Sequence, residues 1–156
     1  MNILIEQTHD MVLVEAILRH PKCWPNVSDD RTPEDWHPQD LPGLYWALAI
    51  QGEQPIGVFG LNSENGVMAQ AHIAMLPEGR GKVAKAATEA FFRWVWAETP
   101  FQKVMGMIAR RNSPARSLVC QAGMNRQGLL PRAFLKNGKL HDLMVYGIEK
   151  PQEVAA

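Results

Sequence analysis

The 156 residues fit one ordinary domain, and an apolar content of 46% supplies a core of its own, which excludes a disordered chain. With 16 Lys and Arg against 16 Asp and Glu, the net charge is zero, so nothing global draws the chain to nucleic acid or to an anionic membrane, and any anion site has to be a local cluster. Cys23 and Cys120 lack the spacing of a zinc site or a disulfide framework, which predicts no metal and a reducing, cytoplasmic compartment. Met1–Glu6 reads as no secretion signal, and no apolar run approaches the ~20 residues needed to span a bilayer.

In chain order, Ile3–Glu6 is a short strand, and Asp10–Arg19 carries Met11, Val14, Ile17 and Leu18 at helical spacing. From His20 to Pro42 five prolines forbid a long helix, although Thr32-Pro33-Glu34 has the cap and first residue of a short one. This stretch, with Trp24, Trp36 and His37, is expected to be irregular and part of the domain. Leu44–Ile50 and Ile56–Leu61 form a hairpin around Gly52. Val67–Met75 is a longer strand with Val67, Ala69, Ala71, Ile73 and Met75 on one face. It breaks at Pro77-Glu78-Gly79-Arg80-Gly81, and a helix with Ala87, Phe91, Trp94 and Val95 on its inner face follows to Glu98. Val104–Ala109 is apolar on both sides, as a buried central strand would be. Ser113-Pro114 starts another helix, which Gly123 ends. Arg126–Leu135 and Leu140–Ile148 flank Asn137-Gly138, a strong hairpin signal. The pattern is α/β (α+β) in one domain, residues 1–150, with a tail over 151–156.

The strand-to-helix turn carries the chemistry. Gly79 and Gly81 allow a tight bend, the first turn of the next helix offers free N–H groups and a positive dipole end, and Arg80, Lys82 and Lys85 add charge. That is the make-up of a phosphate or pyrophosphate cradle. The same residues also serve, in many proteins, simply to cap and solubilise a helix.

Pro77-Glu78-Gly79-Arg80-Gly81-Lys82 resembles the coenzyme A pyrophosphate loop of the GNAT acetyltransferase superfamily. Asn112, Ala115, Arg116, Leu118 and Gly123-Met124 resemble its Asn-x-x-Ala-x-x-Leu-Tyr-x-x-x-Gly-Phe segment. Gly128, Arg132, Gly138, His141-Asp142 and Tyr146 look like the end of the ribosomal-protein N-acetyltransferase branch, whose small stand-alone members occur in bacteria and phages. The resemblance spans Leu44–Ile148. It implies a mixed, mostly antiparallel sheet splayed at a central parallel strand pair and flanked by helices, with acetyl-CoA entering the splay. Pantetheine would pair with the backbone of Ile73, Ala74 and Met75. Pyrophosphate would lie on the amides of Gly79 to Val83, with Arg80, Lys82 and Ala84 beside it, and Asn112 and Arg116 would meet the cofactor arm. Two departures stand out. Val83 and Lys85 replace small residues of the family loop, with Val83 expected to crowd the pyrophosphate, and Val119 stands where many relatives carry a tyrosine acid.

The reaction so implied is acetyl transfer to a primary amine by direct attack in a ternary complex, on a small molecule, a protein N-terminus or a lysine. His72, on the cleft strand, is the candidate base; the alternative is an inert histidine on a half-buried strand. The backbone N–H of Met75 is the candidate oxyanion donor, and Tyr146 a further catalytic candidate on the acceptor side. Trp24, Trp36, His37, Arg132 and Asp142 are candidates for gripping the acceptor; equally, the tryptophans seal the core edge. Arg110, Arg111 and Arg116 form a second basic cluster, which would meet the cofactor's 3′-phosphate or an acidic acceptor; the usual alternative for such charges is a solvated face. A catalytically silent binding or assembly module on the same fold is the alternative function. Exposed edge strands in this fold class often pair, so a homodimer is one candidate assembly, and no nucleic acid or membrane partner is expected.

Overall fold

The computed structural model describes residues 1–152; the last four residues, which make up most of the expected tail 151–156, lie outside the described residues. The elements run β1 (Ile3–Gln7), α1 (Met11–Leu18), α2 (Trp24–Val27), β2 (Leu44–Gln51), β3 (Gln54–Ser63), β4 (Met68–Met75), a 3₁₀ turn (Pro77–Gly79), α3 (Lys82–Glu98), β5 (Lys103–Ala109), α4 (Ser113–Gln121), β6 (Asn125–Lys136) and β7 (Lys139–Glu149). The seven strands form one sheet in the order β1-β2-β3-β4-β5-β7-β6, and only β4 and β5 are parallel.

Each face of the sheet has its own core. Alternate residues of β3 and β4, among them Phe59, Leu61, Ala69 and Met75, meet Ala84, Ala87, Phe91 and Val95 of α3 and Val119 of α4 in the larger cluster. Phe59 and Phe91 stack at 4.2 Å between ring centroids. On the opposite face, Trp46, Leu48, Val58 and Ala74 pack under Val14, Ile17 and Leu18 of α1 and Cys23. Asp10 caps α1 by accepting from Leu13 N–H at 3.1 Å.

Three sequence expectations need correction. Thr32 starts no helix: its hydroxyl accepts from Asp29 N–H at 3.0 Å, and Pro33–Trp36 makes a single turn, while the short helix lies earlier, with Pro25 in its first turn. Asn112, not Ser113, caps α4, its side-chain oxygen accepting from Ala115 N–H at 3.3 Å. The strand expected at Val104–Ala109 is not buried throughout. Val104 is fully enclosed, but Met107 is 36% exposed because β5 has lost its β4 neighbour by that point.

Candidate functional site

Parallel pairing between β4 and β5 covers Met68↔Lys103, Ala69↔Val104 and Gln70↔Met105 and then stops, so the two strands diverge from Ala71 and Gly106 onward. The edge of β4 along this gap is set by strand parity. Leu76 N–H donates to Ile56 C=O at 2.9 Å, and the register places Met75 opposite Gly57. The β3-facing polar groups are therefore those of Ala74, His72 and Gln70, and the N–H and C=O groups of Ile73 and Met75 face the gap. Of the three residues expected to line pantetheine, Ile73 and Met75 are the ones whose polar groups are turned to the gap. Ala74 is not: its polar groups join β3 and its side chain packs in the α1 core.

The cradle beyond β4 is held by two glycines with different reasons to be glycine. A Cβ on Gly79 would sit 2.5 Å from Ile56 O and 2.8 Å from Met75 Cε, so this glycine lets the turn press against β3. Gly81 has φ +72°, and a Cβ there would meet nothing within 4 Å. It caps α3 without any side-chain hydrogen bond. The expected set of open amides shifts accordingly. Gly79 N–H is consumed by Leu76 O at 2.8 Å and Arg80 N–H by Pro77 O at 3.4 Å. The amides of Gly81, Lys82, Val83 and Ala84, the four that a helix start leaves free, have no protein partner among the described residues. Lys82 is exposed and unpaired among the described residues, whereas Lys85 is 2.9 Å from Glu89. Val83 does not crowd the cradle, because its side chain packs against the larger core.

Arg80 departs from its expected role. Its Nε donates to Met75 O at 3.2 Å and its Nη2 to Lys22 O at 2.6 Å, so the guanidinium ties the cradle to the turn between α1 and α2. Cys23 Sγ also donates to Met75 O, at 3.3 Å. Burial pushes the Cys23 thiol pKa up, against the pull of the Arg80 charge, so the thiol remains a donor. The Met75 carbonyl is thus taken and only its N–H is left towards the gap. Sequence reasoning missed Cys23 and Lys22 because nothing local marks a residue that contacts a strand end more than fifty positions away.

His72 lies opposite Gly60 of β3, on the α1 face. It is open to solvent in area, yet enough protein surrounds the ring to hold its pKa below the ordinary 6.5, with Glu64 pulling the other way. At neutral pH it is therefore an unprotonated imidazole. Tyr146 does not line the acceptor side. It is 3% exposed in the larger core, on the α3–α4 face opposite Gly106. Val119 is likewise core.

The acceptor candidates are held in structural contacts. Trp24 and Trp36 pack at 6.1 Å, Arg19 lies 4.4 Å over Trp24 and donates to Trp36 O, and His37 Nδ1 is 2.6 Å from Glu15 of α1. Together they clasp the α2–β2 segment onto α1. Arg132 sits at φ +53° in a bulge of β6, its N–H donating to Asp142 Oδ1 at 3.0 Å. Asn112 uses its oxygen as the α4 cap, and Arg116 lines a hollow with Arg110 and Arg111, beside β7. A bridge that the sequence did not announce joins the two arms of the sheet. Asp30 accepts from Asn137 N–H at 2.8 Å and Gly138 N–H at 2.7 Å, and Lys136 Nζ donates to Ser28 O at 2.8 Å. The Gly138 and Asn137 amides hold the Asp30 carboxyl below the usual carboxylate range.

Solved structures share this architecture at low identity. Spermidine N-acetyltransferase from Vibrio cholerae, in complex with CoA and spermine, aligns with a TM-score of 0.78 and 16% identity over 94% of this chain and 95% of that one. The same enzyme with manganese ions gives 0.72 and 16%, over 94% and 92%. RimL, a ribosomal L7/L12 alpha-N-protein acetyltransferase in complex with coenzyme A, gives 0.62 and 14%, over 68% and 62%. No curated protein matches the sequence. The profile of the family described as "Protein of unknown function (DUF2824)" covers residues 25–156. With that match over most of its length, the chain belongs to this DUF2824 family, and its fold is the GNAT fold.

Proposed function

We propose that the chain is an acetyl-CoA-dependent N-acetyltransferase that acts on a primary amine by direct attack in a ternary complex. The observation that carries this reading is the pairing of an uncapped helix start with a strand edge left open: four free amides at Gly81–Ala84 stand where β4 has parted from β5. Free helix-start amides and the exposed Lys82 suit a pyrophosphate, and the gap-facing polar groups of Ile73 suit an extended amide arm added as a strand. Coenzyme A has both chemistries, so the residues present fit it. The CoA complexes of the structural neighbours support the same reading.

Bound acetyl-CoA supplies an activated acetyl thioester. The chain's share is to place it, to offer Met75 N–H to the acyl oxygen, and to take a proton from the amine. A lysine amine titrates near ~10.4 and an α-amine near ~7.7–8.0, so an acceptor arrives largely protonated. Neutral His72, on the α1 face of β4, is the group to receive that proton directly or through water. The departing sulfur needs no strong acid, since a thiol of pKa ~8.5 leaves readily as thiolate, and this agrees with an apolar Val119 in the tyrosine's place.

Thermal unfolding with and without acetyl-CoA tests the proposal. At ~100 times its dissociation constant the ligand adds about 2.7 kcal/mol, a rise of roughly 5–11 °C for a domain of this size. Lys82→Glu should abolish most of it, and thiol release in the presence of an amine panel reports turnover. No thermal shift at millimolar acetyl-CoA refutes the enzyme reading. Lys85, paired with Glu89 where the family loop carries a small residue, favours a second reading, a silent module on this fold, which a normal shift with no turnover on any amine would support.

A further inference from the structure

An open hollow of about 440 Å³ lies between the end of β5, the first turns of α4 and the start of β7, lined by Arg110, Arg111, Arg116, Leu140, His141 and Asp142. Three guanidiniums here face one carboxylate, and that carboxylate is already engaged. Asp142 Oδ1 accepts from Arg132 N–H at 3.0 Å, and Oδ2 is 3.5 Å from Arg110 Nη1. Arg111 and Arg116 have no ion-pair partner among the described residues. Arg116 Nε is buried and donates to nothing. The α4 start adds no open amide to explain the cluster: Ser113 N–H donates to Arg111 O, Ala115 N–H to Asn112 Oδ1 and Arg116 N–H to Asn112 O. In a chain of zero net charge, three cations on one hollow are a local arrangement and not a by-product of composition.

Guanidinium forks match the planar or tetrahedral oxygens of carboxylates and phosphates, and those of Arg111 and Arg116 have no carboxylate of their own among the described residues. We propose that Arg110, Arg111 and Arg116, with His141 at the rim, form a binding pocket for a phosphate-like oxyanion. Two sources carry that chemistry: the ribose phosphate of coenzyme A, or an acidic group on the acceptor. A polyamine, such as the spermine held by the Vibrio cholerae enzyme described above, is excluded from this hollow by charge. The pocket stands on its own residues and does not require the acetyltransferase reading.

The test follows the arginine Nε–H signals of the ¹⁵N-labelled chain by NMR while inorganic phosphate replaces chloride at constant ionic strength. The Arg111 and Arg116 signals should move and saturate in the millimolar range, and Arg111→Gln, a change at an exposed site, should weaken the Arg116 response at least tenfold. Shifts that do not saturate, or that Arg111→Gln leaves unchanged, overturn the pocket. Coenzyme A and 3′-dephospho-coenzyme A then separate the sources. If only the former moves Arg116, the ribose phosphate is the ligand; if neither does while phosphate still saturates the site, the acid belongs to the acceptor. Because inorganic phosphate is scored residue by residue, the pocket can fail while acetyl-CoA still binds at α3, and the reverse.

Discussion

Gly79→Ala separates shape from conformation in the cradle. The added methyl carbon would lie 2.5 Å from the Ile56 carbonyl oxygen, 2.8 Å from Met75 Cε and 3.1 Å from Ile56 Cβ. The Met75 methyl can swing aside, but the carbonyl belongs to a β3 residue whose oxygen accepts from Leu76 N–H, so the turn itself has to lift. Overpacking of this kind costs about 1–3 kcal/mol, and at 2–4 °C per kcal/mol the midpoint should fall by roughly 2–12 °C. The lifted turn carries the Gly81–Ala84 amides with it, so acetyl-CoA affinity should drop as well. Gly81→Ala is the comparison: its methyl meets nothing within 4 Å, and the cost is backbone strain alone, at φ +72° and ψ −134°, about 1–3 kcal/mol, with no clash to lift the turn off β3. Calorimetric titration and thermal unfolding of both variants decide it. Wild-type stability and wild-type affinity in Gly79→Ala would refute the packing argument.

Three further outcomes follow from the site. The acid limb of the rate profile should fall below pH 6.5, because burial holds His72 below its ordinary value; His72→Gln should remove that limb and lower kcat on a lysine-type amine about 10²-fold or more while leaving acetyl-CoA affinity within a factor of two or so. Arg80→Met should lower the melting midpoint and weaken the acceptor more than acetyl-CoA, because its guanidinium binds Lys22 O and Met75 O, whereas Lys82→Met should do the opposite; equal losses of acetyl-CoA affinity in both would contradict the assignment. Asp30 titrates below the ordinary 3.8 in the folded chain, so its contribution is complete above that value and disappears as the pH falls through the lower folded pKa; an acid-unfolding curve for Asp30→Asn should lose this dependence and lie below wild type at pH 6.

Much of this arrangement was legible in the residues. The period-two run from Val67 to Met75, the breaker at Pro77 and the period-3.6 run after Gly81 fixed β4, the cradle and α3 nearly to the residue, because each boundary has its own local chemistry. The splay itself was implied only by family resemblance, since the pairing that ends at Gln70 and Met105 leaves no mark in either strand's composition beyond an exposed Met107. Side-chain destinations were the weakest expectation. Arg80 looks like a phosphate ligand by position and is a tie by geometry, for its nearest acceptors are carbonyls brought in from Lys22 and Met75. Trp24 and Trp36 look like a binding wall and are joined through Arg19, because a proline-rich segment with little secondary structure needs side chains to seat it. Nothing in its own neighbourhood marked Asp30. The only hint was a turn at Asn137-Gly138 whose amides face outward and want an acceptor.

The Ser28–Asp30 bridge to the last hairpin has a consequence for how the molecule is made. Its bonds join residues 107 and 108 positions apart, a separation at which loop closure is slow and comes late. On a ribosome, α1 and the strands through β4 can assemble while the hairpin is still unmade, but Ser28 and Asp30 have no partner for their bridge until Lys136, Asn137 and Gly138 emerge. The Trp24–Trp36 clasp is then what shelters the apolar surface of the proline-rich segment from premature association during that interval, and variants that loosen the clasp should show their defect first as lower soluble yield at high expression temperature, before any loss in the purified folded protein.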